Sequence, residues 1–198
     1  MTDSAHALPG ALAWRPDIEM TKGELDEFLS ARLIARVATN GSGGFPLVTP
    51  LWYLWDGVAL YISTTSNRLA GKNLLRDPRC AVLIDWDDRG VFGMGTNQAK
   101  AVHILGEAEL IPNEPGNKVR IEGGPAAGLH EAQDAIKLIT RRYNLHREDG
   151  SVGFTQDDLI EKIAAGEIPA AAEDSGRMIA KVVPRRLRSW DFTKGRFV

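Results

Sequence analysis

The run Ser63-Thr64-Thr65-Ser66-Asn67-Arg68-Leu69-Ala70-Gly71-Lys72-Asn73 concentrates groups that bind phosphate. Four consecutive hydroxyl residues, Ser63 to Ser66, close an apolar, β-type stretch and lead into a helical pattern that opens with Arg68 and carries Lys72 four residues later on the same face. A helix start offers unpaired backbone N–H groups and the positive end of the helix dipole. Hydroxyls add neutral donors, and a guanidinium adds a planar fork matched to phosphate oxygens. A hydroxyl-rich helix cap flanked by solvated basic residues would use the same letters, so the run alone marks a candidate and nothing firmer.

Other catalytic constellations are scarce. His6, His103, His130 and His146 fall in an arm, a strand, a helix start and a loop, with neither an HExxH nor a GxSxG pattern around them. Asp85, Asp87 and Asp88 follow a strand and read as a solvated turn, so no metal site is expected. Gly93-Met94-Gly95 does not open a helical pattern and makes no dinucleotide fingerprint. The one cysteine, Cys80, lies in an apolar run and reads as a small core residue. The catalytic side chains are therefore unknown at this level.

Charge narrows the partners. With 24 Lys and Arg against 26 Asp and Glu, the chain has no global field of the kind that gathers nucleic acid or acidic membrane, and any anion site must be local. No stretch approaches the ~18 to 20 apolar residues of a membrane span. The first residues lack the basic start and apolar core of a secretory signal, so a cytoplasmic location is expected.

These residues need elements to position them. The chain has 198 residues, the size of one domain. Residues 1–19 read as an arm and 20–198 as a single domain, with 112–175 a loop and helical insertion. Thr21 and Glu24 have capping-box spacing, and Leu25, Phe28 and Leu29 share one helical face, which predicts a helix over Thr21 to Ala31. Leu33 to Thr39, Phe45 to Trp55 and Val58 to Thr64 are β-type runs separated by Asn40-Gly41-Ser42-Gly43-Gly44 and Asp56-Gly57, which predicts a three-strand meander. A short helix is expected from Asn67 to Asp77 and a strand from Arg79 to Trp86. A mobile Gly-rich loop should cover Asp87 to Asn97, and a long strand bent at Gly106 should run from Ala99 to Ile111. Pro112 to Pro125 reads as loop, Glu131 to Tyr143 and Thr155 to Ala165 as helices. Arg177 to Phe192 reads as a final strand or strand pair interrupted at Pro184. The fold expected is mainly β with peripheral helices, a barrel of about six antiparallel strands.

The run from Asn67 to Asp85 resembles the segment after the third strand in the pyridoxamine 5′-phosphate oxidase-like split-barrel proteins, particularly their flavin/deazaflavin oxidoreductase branch. Leu33 to Thr39, Pro46 to Trp52 and Ala101 to Leu110, with its internal Gly-Glu-Ala, are similar to that family's first, second and long strands. Arg188 to Phe192 is similar to its closing strand. The resemblance implies a split β-barrel holding FMN or the deazaflavin coenzyme F-420. It implies that Val48, Thr49, Pro50, Leu51 and Trp52 pass beside the ring, and that Ser63 and Thr64 lie near ribityl and phosphate. Arg68 and Lys72 would begin the phosphate helix, and Lys100 would approach the ring. It further implies a homodimer in which Arg185, Arg186, Arg188 and Trp190 of one subunit reach the site of the other, with a small-molecule substrate. The position that is usually Lys in the flavin-binding oxidases is Ala70 here, and Lys72 is the residue that could compensate. Two other readings stay open at this point: a carrier or haem-binding barrel with His103 as axial ligand, and a barrel that has lost its cofactor.

Overall fold

The computed structural model describes residues 16–87, 99–143, 165 and 176–194. After a single 3-10 turn at Pro16–Ile18, helix α1 spans Lys22–Ser30. Its capping box forms as the spacing predicts: the Thr21 hydroxyl accepts from the Glu24 amide at 3.4 Å, and the Glu24 carboxylate accepts from the Thr21 amide at 2.7 Å. Leu25, Phe28 and Leu29 form its buried face.

Strand β1 (Ala35–Asn40) pairs with β2 (Pro46–Leu51). The stretch expected to be one strand from Phe45 to Trp55 breaks at Trp52. Its second part, β3 (Tyr53–Trp55), pairs instead with β4 (Leu60–Thr65). Helix α2 (Leu69–Arg76), β5 (Arg79–Trp86) and β6 (Lys100–Pro112) follow, then a small hairpin of β7 (Lys118–Ile121) and β8 (Gly128–Glu131), helix α3 (Ala132–Arg142) and the long β9 (Arg177–Asp191).

The main sheet has the order β2-β1-β5-β6-β9-β4-β3, all neighbours antiparallel. Both pairings of the expected meander form, β1 with β2 and β3 with β4, but the break at Trp52 sends β2 and β3 to opposite ends of the sheet. In a flat sheet those ends would stand about 29 Å apart, six strand spacings. A one-residue connection at Trp52 reaches only about 7 Å. The sheet must curl until its two edges meet, which makes it the split barrel expected; its main sheet has seven strands because the break at Trp52 divides the second of the six expected runs into two.

Two other local expectations change. Pro112 to Pro125 is not plain loop, because β7 lies within it. Pro184 does not interrupt the last strand: the register shifts at Leu105/Gly106, where Gly106 stands opposite Pro184, and that bulge absorbs the missing amide. A Cβ on Gly106 would come within 2.8 Å of the Val183 carbonyl oxygen, so this crossing needs glycine. The helix expected over 155–165 lies outside the described residues apart from residue 165, and the loop expected over 87–97 does so apart from residue 87.

Strand alternation sorts the apolar residues into two cores. Val37, Ile62, Val82, Ile84, Val102, Ile104 and Val182 fill the barrel. Leu54, Tyr61 and Ile179 face outward and are covered by Val119, Ile121, Ile136 and Ile139 of the hairpin and α3. The rest of the outer sheet face, from β2 across to the second half of β9, has no such cover among the described residues, and Val48, Leu83 and Leu105 are exposed there. No helix among the described residues is long and apolar enough to cross a membrane.

Candidate functional site

The place where the two sheet edges meet is only partly closed. β3 pairs with β4 from Leu60 to Ile62, and one further bond, from the Ser63 amide to the Trp52 carbonyl at 3.4 Å, reaches across. Beyond it, Ser63 to Thr65 and β2 have no ladder between them. The free edges of both strands border a split that ends at the start of α2, which packs on β1, β2 and β4.

Side chains at the end of α3, Arg142 and the following Tyr143, pin the closed end. The Tyr143 hydroxyl donates to the Leu33 carbonyl at 2.6 Å and accepts from the Tyr53 amide at 3.3 Å, tying the segment that leads into β1 to the start of β3. Its ring lies flat on Trp52, centroids 5.3 Å apart and planes 4° from parallel. Arg142 stacks over Tyr53 and donates to the Leu29 carbonyl at 3.1 Å. Burial pushes the Tyr143 phenol up, so the hydroxyl keeps its proton and its donor role. Neither residue carried a signal that sequence reasoning could have used, because their role depends on α3 docking beside the split.

At the other end, Arg68 is the N-cap of α2 and makes no side-chain bond to the first turn. Arg68 and Lys72 are exposed. The Thr65 hydroxyl donates to Asn67 at 2.7 Å. Thr64 is buried with its hydroxyl unpartnered. Ser63 and Thr65 alternate to the opposite face from Thr64, so the three hydroxyls do not converge as one cluster. Ala70 is buried and Lys72 exposed, so the two positions face opposite ways and Lys72 does not stand at the spot of Ala70. Gly71 explains the close seat of the helix: a Cβ there would lie 1.9 Å from the Thr65 carbonyl oxygen. A glycine inside a helical pattern was the available signal for that approach.

β2 offers Val48 and Pro50 on the outer face and Thr49 and Leu51 toward the interior, as its register with β1 requires. Trp52 is 42% exposed at the mouth of the split. Lys100 and Trp190 lie at the opposite end of the barrel, away from α2. Lys100 binds Asp191 at 3.1 Å, and Trp190 stands opposite Ala101. Within one chain the structure thus brings the β2 residues, Ser63, Thr64, Arg68 and Lys72 around the split and leaves Lys100 and Trp190 apart. His103 stands half-buried on the outer face of β6, opposite Arg188.

The residues fit a phosphorylated ring cofactor. An uncapped helix start with two cations that have no partner among the described residues could supply the anion end. The bare edge of β2 supplies backbone donors and acceptors along a planar group. Residues 21–135 match the sequence model of the pyridoxamine 5′-phosphate oxidase family. The chain belongs to that family.

Among solved structures, a conserved hypothetical protein from Mycobacterium tuberculosis has the same fold at 24% identity and TM-score 0.59, with 91% of this chain and 90% of that one covered. An F420 reductase matches at 19% identity and TM-score 0.49, over 82% and 94% of the two chains. A protein from Clostridium acetobutylicum related to general stress protein 26 matches at 14% identity and TM-score 0.49, over 87% and 89%. No curated protein matches the chain in sequence.

Proposed function

We propose that the protein is an oxidoreductase that holds FMN or the deazaflavin coenzyme F-420 in the barrel split and acts on a small molecule. The observation that carries this reading is the uncapped start of α2, with Arg68 and Lys72 unpartnered, at the end of an open split in a pyridoxamine 5′-phosphate oxidase-family barrel. When bound, such a cofactor supplies the hydride chemistry. The chain binds and orients it. Arg68, Lys72 and the first-turn amides hold the phosphate, while Val48 to Trp52 present main-chain groups to the polar edge of the ring. Ser63 and Thr64 border the chain between ring and phosphate. Trp52, braced by Tyr143, closes the end of the split against water.

Lys100 and Trp190 then serve a neighbouring subunit, because in their own subunit they stand at the far end of the barrel. The reading therefore includes a homodimer with each cofactor site shared between two chains. The uncovered outer face, with Val48, Leu83 and Leu105 exposed, supports that arrangement.

Titration of the full-length apoprotein with FMN and with F-420, followed by cofactor fluorescence, tests the reading. Arg68→Ala should weaken binding by ~1.5 to 3 kcal/mol, the worth of a charge-assisted hydrogen bond, and more at low salt than at high. Lys72→Ala should act in the same direction and less. If both variants stay folded and bind both cofactors as wild type does, the phosphate end is misassigned. A purified protein with flavin absorption near ~375 and ~450 nm supports the flavin arm, whereas a Soret band would point to haem instead.

A further inference from the structure

The uncovered face of the sheet carries cations that nothing in the described chain neutralises. Register places Leu83, His103 and Arg188 in one cross-strand row and Ala81, Leu105 and Arg186 in the next. Side chains directly opposite on one face stand about 5 Å apart at Cβ. The two guanidiniums and the imidazole therefore form one group on an otherwise apolar stretch of surface. The Nε of Arg186 and the Nε of Arg188 are both buried without an acceptor. The carboxylates on this side are already engaged, Asp85 by Arg36 and Glu107 by Arg185. Burial, then Arg188, then Arg186 lower the pKa of His103, as expected of an imidazole facing two positive charges and no negative one.

Leaving two half-buried guanidiniums unpaired is costly, and covering the same face with a second subunit would raise that cost unless an anion entered with it. A paired Arg fork with a protonatable ring between strands is suited to the flat or tetrahedral oxygens of a carboxylate or phosphate. We propose that Arg186, Arg188 and His103 form a second anion site, separate from the α2 cradle, that takes a phosphate or carboxylate group of a small molecule. Under the proposed function that molecule is the substrate, and the identity of the ligand rests on that reading; the anion site itself does not.

Proton NMR of the full-length protein tests it, with the His103 ring signal assigned by its loss in His103→Gln. Millimolar inorganic phosphate should raise the His103 titration midpoint by roughly one pH unit, a tenfold preference for the imidazolium. The response should persist in Arg68→Ala and vanish in the double variant Arg186→Gln/Arg188→Gln. Adding FMN separates the two sources of such a group. A His103 response to FMN that Arg68→Ala abolishes assigns the anion to a cofactor phosphate held by the other subunit, and overturns the substrate assignment. A response to phosphate but not to FMN supports it. If phosphate leaves His103 unmoved in wild type, or moves it equally in the double variant, the site does not exist. Loss of flavin binding in Arg68→Ala with the phosphate response intact would leave the two ideas separately judged.

Discussion

Asp56 carries four donors on two oxygens. One oxygen accepts from the amides of Val58 and Ala59 at 2.8 and 2.7 Å, the other from the Tyr61 hydroxyl at 2.7 Å and the Glu122 amide at 2.9 Å. The Tyr61 hydroxyl also stands 2.7 Å from the Arg120 carbonyl, so its single proton is shared between two acceptors. This one carboxylate fastens the β3–β4 turn to the β7–β8 hairpin. Burial pushes its pKa up, but the Glu122 and Ala59 amides, the Tyr61 hydroxyl and the Val58 amide outweigh burial and hold it below the ordinary aspartate range. The folded pKa is thus the lower one, so the ionised group stabilises the fold fully above the unfolded value near ~4 and loses that contribution as pH falls through the folded value. Asp56→Asn, which turns one acceptor oxygen into a donor, should cost about 2 kcal/mol in urea unfolding at neutral pH and flatten the loss of stability below about pH 4. An unchanged urea midpoint would show that the carboxylate is dispensable.

The decisive element is α2, because its position sets where the proposed phosphate end of the split lies. Asn73 donates to the Thr39 hydroxyl at 3.0 Å, Arg76 donates to the Asn40 carbonyl, and Gly71 lies against Thr65, so the helix bridges the ends of β1 and β4. Gly71→Ala would drive a methyl into the Thr65 carbonyl and the Met178 side chain. We expect it to lower stability by about 1 to 3 kcal/mol, the usual cost of overpacking. It should also reduce FMN affinity, since the cations move with the helix. Thermal unfolding and a cofactor titration of the same preparation check both parts. Wild-type values in both would mean that α2 need not touch β4.

For the whole molecule, the outer face from β2 to β9 decides how many chains make a site. Val48, Ala38, Ala81 and Leu105 form an apolar row across four strands, flanked by Arg36 and Arg186. Apolar rows of this kind on a free surface mark interfaces, and a two-fold pair would bury the same row from both sides. Ala81→Glu places a charge at the centre of the row and a second one at its symmetry mate. Sedimentation velocity should show a dimer for wild type and a monomer for the variant, with the strand signal in circular dichroism retained and cofactor affinity reduced. A variant that still sediments as a dimer would move the interface elsewhere, and a monomeric wild type that binds cofactor would remove the shared site.

Much of this was legible in the chain itself. The Thr21/Glu24 box, α2 between its hydroxyl-rich start and Pro78, and β5 from Arg79 to Trp86 all follow from nearest-neighbour chemistry: caps, breakers and period. The proposed phosphate-binding pair, Arg68 and Lys72 one turn apart, is local in the same sense. What sequence could not decide is which edges pair. Trp52 is one residue in an unbroken aromatic run, and only the seven-strand order turns it into the point where the barrel closes. Tyr143 and Asp56 act on partners 66 to 110 residues away. The three hydroxyls of Ser63 to Thr65 look like one cluster as letters, yet strand alternation divides them between two faces. Local signals specify elements because their energies act within a turn or a pair of residues. The pairing of edges, and with it the site, is set by burial summed over the entire curled sheet, which no short window of sequence contains.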